Sequence, residues 1–369
     1  MWSIVLFYVL LLSTIVNGSP RTDVTVSGGS AGSAMATQLH IAFSNDISGS
    51  GLLAGPPYYC AQGSMLKVVT DCVFGFGSVN EIHKKMKSYA SDGKIDKLEN
   101  LLGDPVYIFR GKNDIVVTER LAKDNEEVYK PFNPNLKTNY DTNVNHGIPT
   151  ENYGGKCETL NSENFLNNCN FSVAYEMLNH LYGGNLIKPT VTTRLNGKLI
   201  EFDQGAFMNR QQLDATEERR IVDTWSQWID TTLQLMNPVN YMPVSVLPSN
   251  GNYAAKAYSI SFDKTAYMYV PSRCSKGKGC SIHVALHGCR QGKERVGETV
   301  ALHAGYNEVA ELNNIIVIYP QVKKSLVFPI NPQGCFDWWS YTNNNYANKL
   351  GPQMSAVKNI IDTVRAIHA

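Results

Sequence analysis

The chain has 369 residues, enough for one large domain or two ordinary ones. Its 33 Lys and Arg against 32 Asp and Glu leave a net charge of +1, which excludes the basic surface of a nucleic-acid or anionic-membrane binder. A hydrophobic fraction of 43% is ordinary for a globular protein, and 19 Tyr, 13 Phe and 5 Trp suit a neutral substrate.

Met1 to Val16 is an apolar run, too short for a comfortable membrane span. Val16 and Gly18 fit a cleavage site after Gly18, so residues 1–18 are expected to be a signal peptide, with a retained signal anchor as the alternative. No Lys or Arg precedes the run. No later run could cross a bilayer, and one domain is expected over 19–369. Eight cysteines follow the leader: Cys60, Cys72, Cys157, Cys169, Cys274, Cys280, Cys289 and Cys335. An even count behind a leader implies disulfides. Paired C-x-x-C spacing is absent, which argues against zinc. Asn170-Phe171-Ser172 is an N-glycosylation sequon.

Short β-branched or apolar runs alternate with amphipathic stretches, which predicts an α/β fold. In chain order the pattern predicts a strand at 22–26, a helix at 34–43, a strand at 51–55, helices at 79–89 and 95–102, and a strand at 106–110. Further strands are expected at 266–270, 282–287 and 315–319, and a last helix at 353–367. Residues 185–262 are hard to read and are expected to be an insertion. Within them, 217–236 carries Ile221, Trp225, Trp228, Ile229 and Leu233 at helical spacing. That stripe fits a helix packed on the core, or a substrate-binding lid.

The first strand runs into Gly28-Gly29-Ser30-Ala31-Gly32, and a helix follows. G-x-S-x-G between a strand and a helix is the nucleophile-elbow pattern. The tight turn needs small neighbours to present the serine Oγ at the strand's C-terminal edge. The plain alternative is a Gly-rich turn. A nucleophilic serine needs a base and an orienting carboxylate, in this fold in the chain order Ser, Asp or Glu, His. Asp114 follows the strand at 106–110 and falls at the same sheet edge, whereas Asp104 precedes that strand. His146 lies in a loop, while His40, His83 and His180 fall in helical patterns and His368 is terminal, so His146 is chosen partly by elimination. Ala31 should supply one oxyanion N–H, and the loop after 282–287, at His287-Gly288-Cys289, the other. His283 and His287 could instead be read as metal ligands, but no carboxylate accompanies them. That strand and its loop follow the nucleophile, and the last helix would ordinarily feed the elbow strand. The order predicts a circular permutation with adjacent termini.

Gly28-Gly29-Ser30-Ala31-Gly32-Ser33-Ala34-Met35, Leu286-His287-Gly288-Cys289-Arg290-Gln291, Ile318-Tyr319-Pro320-Gln321 and Gly334-Cys335-Phe336-Asp337-Trp338-Trp339 resemble extracellular poly(3-hydroxybutyrate) depolymerases of the permuted type. The resemblance covers nearly the whole mature chain. It implies a single-domain α/β-hydrolase fold, a triad of Ser30, Asp114 and His146, oxyanion donors at Ala31 and Cys289, and a Cys289–Cys335 bridge. Proximity adds Cys60–Cys72, Cys157–Cys169 and Cys274–Cys280, each closing a short loop. Tyr58, Tyr59, Trp338 and Trp339 are expected at the mouth of the substrate cleft.

The expected reaction is acyl transfer to Ser30 from a neutral polyester, without metal or cofactor, by a secreted monomer that binds neither nucleic acid nor membrane. Two other readings stand beside it. One is a secreted carboxylesterase of feruloyl or acetyl-xylan type, since fold alone does not settle substrate. The other is a catalytically silent secreted binding protein.

Overall fold

The structure is a computed structural model that describes residues 24–212, 239–241, 259–274 and 279–368. The predicted leader 1–18 and the predicted helix 217–236 lie outside the described residues.

Strands supply the centre. β1 (Val24–Gly29), β2 (Ser50–Leu53), β3 (Pro105–Phe109) and β4 (Asn135–Asn139) come first in the chain. β5 (Ile148–Thr150), β6 (Gly155–Lys156) and β7 (Leu166–Asn168) form a separate three-stranded sheet. β8 (Lys198–Asp203), β9 (Val239–Tyr241), β10 (Thr265–Val270), β11 (Ser281–Leu286) and β12 (Ile315–Tyr319) follow. The main sheet has nine strands in the order β4-β3-β2-β1-β11-β12-β10-β8-β9. It is parallel throughout except at β10, which runs antiparallel to both β12 and β8.

Both faces of this sheet are covered, which explains the continuous apolar runs of its strands. Successive residues alternate between two cores. Val106 and Ile108 join one while Tyr107 and Phe109 join the other, and Ile316 and Ile318 oppose Ile315, Val317 and Tyr319 in the same way. The helices Ala31–Ala42 and Pro352–His368 pack on the first side, and Val173–Leu181 and Tyr306–Asn313 on the second. Every residue of Ala31–Ala42 is buried, so this helix is a core element and not an amphipathic surface one.

The permuted order is visible in space. Arg365, near the end of the last helix, pairs with Asp46, two residues before Ser48, whose N–H and Oγ both donate to the Val24 carbonyl at the start of β1. The described ends of the chain are therefore neighbours.

Two readings of the sequence change here. Residues 95–102 are not a helix but contain one short 3-10 turn, Leu98–Leu101. Asp96 is tied to the end of the Ala31–Ala42 helix instead, its N–H donating to the Ala42 carbonyl and its carboxylate accepting from the Asn45 N–H. The stretch 185–262 contributes β8, which joins the main sheet beside β10. Its Ile200 and Phe202 face one core and its Leu199 the other, and Lys198 is also covered.

His283 on β11 lies between Thr25 Oγ1 and Ser27 Oγ of β1, each 2.7 Å from a ring nitrogen. Burial pushes its pKa down to about 3. Burial also lowers His287 to about 4, against the opposing pull of its hydrogen bond to the Gly288 carbonyl. In the unfolded chain both would titrate near about 6.5. Between that value and the folded ones the unfolded state binds more protons, so stability falls as pH drops through this window. The urea midpoint is expected to decline from pH 7 to 4.5, and less steeply in His283→Gln. Equal slopes would show that His283 does not carry this effect.

Candidate active site

Parallel pairing brings the site loops to one edge. Gly28 is in register with Leu286 of β11, Gly29 with Leu53 of β2, and Leu53 with Phe109 of β3. The segments that leave β1, β3 and β11 therefore emerge together at the C-terminal ends of the strands, where open α/β sheets place their ligands.

Ser30 occupies the turn between β1 and Ala31–Ala42 at φ 54° and ψ −117°. This conformation is strained for a residue with a side chain, by roughly 1–3 kcal/mol. The Ser30 N–H donates to the Leu53 carbonyl at 2.8 Å. The flanking glycines are there for space. A Cβ on Gly28 would lie 2.3 Å from the Gly32 carbonyl carbon, and one on Gly32 would lie 2.3 Å from the Leu286 oxygen. A Cβ on Gly29 would meet only Ile148, at 3.5 Å.

Asp114 and His146 are brought together by two loops laced along their length. Arg110, Lys112 and Asn113 donate backbone N–H bonds to the carbonyls of Asn139, Thr142 and Val144. A Cβ on Gly111 would fall 2.2 Å from the Val144 oxygen, so the loops touch there. The Arg110 guanidinium donates to the carbonyls of Lys112, Asp114 and Val117, which fixes the turn around the acid.

The Asp114 carboxylate is wholly buried. Its Oδ1 accepts N–H bonds from Val116 and Val117 at 2.7 and 2.8 Å, and its Oδ2 lies 2.9 Å from His146 Nδ1. A hydrogen on Nδ1 satisfies that carboxylate and leaves the lone pair of Nε2 for a proton in the cleft. The His146 N–H donates to Asn145 Oδ1, and Phe165 meets the ring edge-to-face at 6.1 Å.

The segment after β11 passes beside the serine. A Cβ on Gly288 would lie 3.2 Å from the Gly29 oxygen and 3.4 Å from Ser30 Cβ. Gln291 holds this segment: its Oε1 accepts the Gly288 N–H at 2.7 Å and its Nε2 donates to the Asn164 carbonyl at 2.8 Å. The Val322 N–H donates to His287 Nε2 at 3.1 Å, and Cys289 is bridged to Cys335. The Ala31 N–H belongs to the first helical turn, where backbone donors have no intrahelical acceptor. Cys60–Cys72, Cys157–Cys169 and Cys274–Cys280 are the other disulfides.

Ser30, His146, Gly288 and Cys289 line one cleft of about 320 Å³. Its walls are mainly apolar, from Leu53, Ala54, Val116, Ile148, Leu160 and Phe165. Most of these were not singled out in the sequence. Val116 and Ile148 each lie two residues beyond a triad candidate, a usable signal. Leu160 and Phe165 come from the loop closed by Cys157–Cys169, which has no local signature.

The four aromatics expected at the mouth do not line this cleft. Tyr58 is fully buried, with its hydroxyl donating to the Ala347 carbonyl at 2.7 Å. Tyr59 stacks on Tyr346 and meets the edge of Tyr89. Trp338 and Trp339 are half-buried against the cluster of Cys60, Cys72, Val117 and Leu121. Residue type gave them away as large apolar groups but carried no information on depth. His40 is a core residue, bonded to Tyr129 and Asp104. Among the described residues no group of three His, Cys, Asp or Glu is placed to hold a metal ion.

A central parallel sheet, a serine on a strained strand–helix turn and a buried Asp–His pair at the same edge define an α/β-hydrolase, here circularly permuted. No family model matches the chain. It is 31% identical over 351 residues to the poly(3-hydroxybutyrate) depolymerase of Delftia acidovorans, covering 93% of this chain and 60% of that protein. It is 29% identical over 356 residues to the polyhydroxybutyrate depolymerase of Talaromyces funiculosus, covering 92% and 88%. The chain thus spans three-fifths of the Delftia relative's length. Among solved structures, a PHB depolymerase complexed with R3HB trimer superposes with a TM-score of 0.72, and the PHB depolymerase from Penicillium funiculosum with 0.71. Each is 27% identical, with 94% of this chain and 95% of the other covered. Over nearly its whole length the chain is similar to poly(3-hydroxybutyrate) depolymerases.

The elbow geometry makes a steric prediction. Gly32→Ala should lower the unfolding free energy by about 1–3 kcal/mol through overpacking against β11. Gly29→Ala should stay within about 0.5 kcal/mol. Urea unfolding of the two variants checks the contrast, and equal losses would contradict it.

Proposed function

We propose that this protein is an extracellular esterase that hydrolyses poly(3-hydroxybutyrate) or a related polyhydroxyalkanoate through an acyl-enzyme. The observation that carries this reading is the 2.9 Å contact between buried Asp114 and His146 in the cleft that also holds strained Ser30. Similarity to poly(3-hydroxybutyrate) depolymerases supports the substrate class.

His146 Nε2 takes the Ser30 proton as Oγ attacks the ester carbonyl. The N–H groups of Ala31 and Cys289 receive the oxyanion, each contributing about 3 kcal/mol to the transition state. Protonated His146 then protonates the departing alkoxide. Water, deprotonated by the same nitrogen, releases the hydroxyacid. Asp114 keeps the proton on Nδ1 and stabilises the imidazolium. The reaction assigns no role to a metal or cofactor.

A solid polymer calls for a cleft that opens onto an apolar surface. Met65, Leu66, Phe74 and Phe76 are all largely exposed, and so is Ile115, beside cleft residue Val116. Gly75 lies against Arg120 and Thr118, which places this apolar segment next to the turn after Asp114. The disulfides favour an oxidising compartment. Among the described residues no helix is long and apolar enough to cross a membrane. With removal of residues 1–18, these features support secretion as a single catalytic domain over 19–369. We take the working form to be a monomer, and exposed Asn170 to be a glycan acceptor.

Clearing of a poly(3-hydroxybutyrate) suspension is the test. The parent should clear it and Ser30→Ala should not. Asp114→Asn should fold normally yet lose about 10³–10⁴ in kcat. Failure to clear, with p-nitrophenyl ester hydrolysis still dependent on Ser30, would leave an esterase for another substrate, such as a feruloyl or acetyl ester.

A second measurement concerns the apolar surface. Phe74→Ser with Phe76→Ser should reduce adsorption to polymer particles more than it reduces turnover of a soluble ester. Unchanged adsorption would show that the polymer is engaged elsewhere.

A further inference from the structure

Among the described residues that line the ester cleft, Arg290 carries the one permanent charge. Its guanidinium carbon lies 6.0 Å from the ring centroid of Phe165, and among the described residues no carboxylate pairs with it. A neutral polyester offers a guanidinium carbonyl acceptors along its repeats but no charge to pair with. Covering a guanidinium with such a chain carries a desolvation cost that no opposite charge on the polymer offsets.

The backbone beneath this side chain is fixed. Arg290 sits at φ 64°, in the left-handed region, and its N–H donates to the Gln333 carbonyl at 2.8 Å. The preceding residue is bridged to Cys335. The backbone of Arg290 thus has a set position relative to the N–H of Cys289, and its side chain reaches over Phe165. Phe165, which carries the cation on its ring, also meets the edge of His146 at 6.1 Å. One aromatic ring therefore connects the cation to the proposed general base.

Resting on the polyester reading above, we propose that Arg290 forms a carboxylate subsite that selects oligomers with a free acid end. Each hydrolysis adds water across one ester, leaving one new carboxylate and one new hydroxyl. Short products therefore carry an anion that the intact polymer lacks along its length. A guanidinium accepts such a carboxylate through two parallel N–H bonds. In a chain of 3-hydroxyacids the free carboxylate belongs to the segment that departs as the alcohol. Arg290 thus serves the leaving-group side, and the cleft favours cutting near the acid end of short chains.

The test compares the 3-hydroxybutyrate trimer as free acid and as its neutral terminal methylamide, scored by the ratio of kcat/KM for the two. The parent should favour the acid by about tenfold, as expected of a charge-assisted pair. Arg290→Gln should erase that preference, and Arg290→Glu should invert it. Raising the salt to about 0.5 M should weaken it in the parent through screening. A parent without preference, or an Arg290→Gln variant that keeps it, overturns the proposal. An equal loss on both substrates also overturns it, since that marks a role in shaping the oxyanion loop. A parent that cleaves neither oligomer removes the polyester reading itself, a result distinct from cleavage without preference.

Discussion

Three backbones meet without side chains between them at the centre of this molecule. Gly28 of β1 rests on Gly32 of the following helix, and Gly32 rests on the Leu286 carbonyl at the end of β11. This close approach sets the angle at which the helix leaves the strand, and so holds Ser30 in a conformation it would not adopt alone. The strain is local and modest beside the burial of the twelve-residue helix that follows, every residue of which is covered. The same contact draws the loop after β11 against the serine.

The remaining parts of the site are set by connections, not by chain proximity. Asp114 and His146 stand 32 residues apart and meet because their loops exchange backbone hydrogen bonds from Arg110 to Val144. Gln291 joins the segment beside Ser30 to the carbonyl of Asn164, on the loop that also supplies Leu160 and Phe165 to the opposite wall. The Cys157–Cys169 and Cys289–Cys335 bridges tie both walls covalently. Such cross-ties reduce the reorganisation needed when charge develops on the substrate, which is where an acyl-transfer site gains most.

What could be read from the sequence follows from how local each feature is. The elbow was legible because Gly28, Ser30 and Gly32 lie within five residues, between an apolar strand and a helix. The side of β3 on which Asp114 falls was legible because a loop leaves a strand at one defined end. His146 was reached partly by exclusion, since its partner is distant in the chain and no motif marks it. The depth of Tyr58 was not legible, because the hydroxyl that would favour a wet rim is satisfied internally by the Ala347 carbonyl. β8 was hidden for a related reason. Lys198 and Glu201 break its apolar pattern, yet Lys198 is covered and Glu201 is paired with Lys293. The helix expected at 95–102 lost to tertiary bonds that hold Asp96 in place.

The central claim is that the folded chain presents Ser30 as an activated nucleophile, with its proton drawn by His146. The most direct measurement is labelling by a fluorophosphonate, with the modified residue located by peptide mass spectrometry and the rate compared with that of Asp114→Asn. The account predicts one label per chain, on Ser30, at a rate that falls sharply in Asp114→Asn. Folded protein that takes no label, or takes it at another serine, would contradict it.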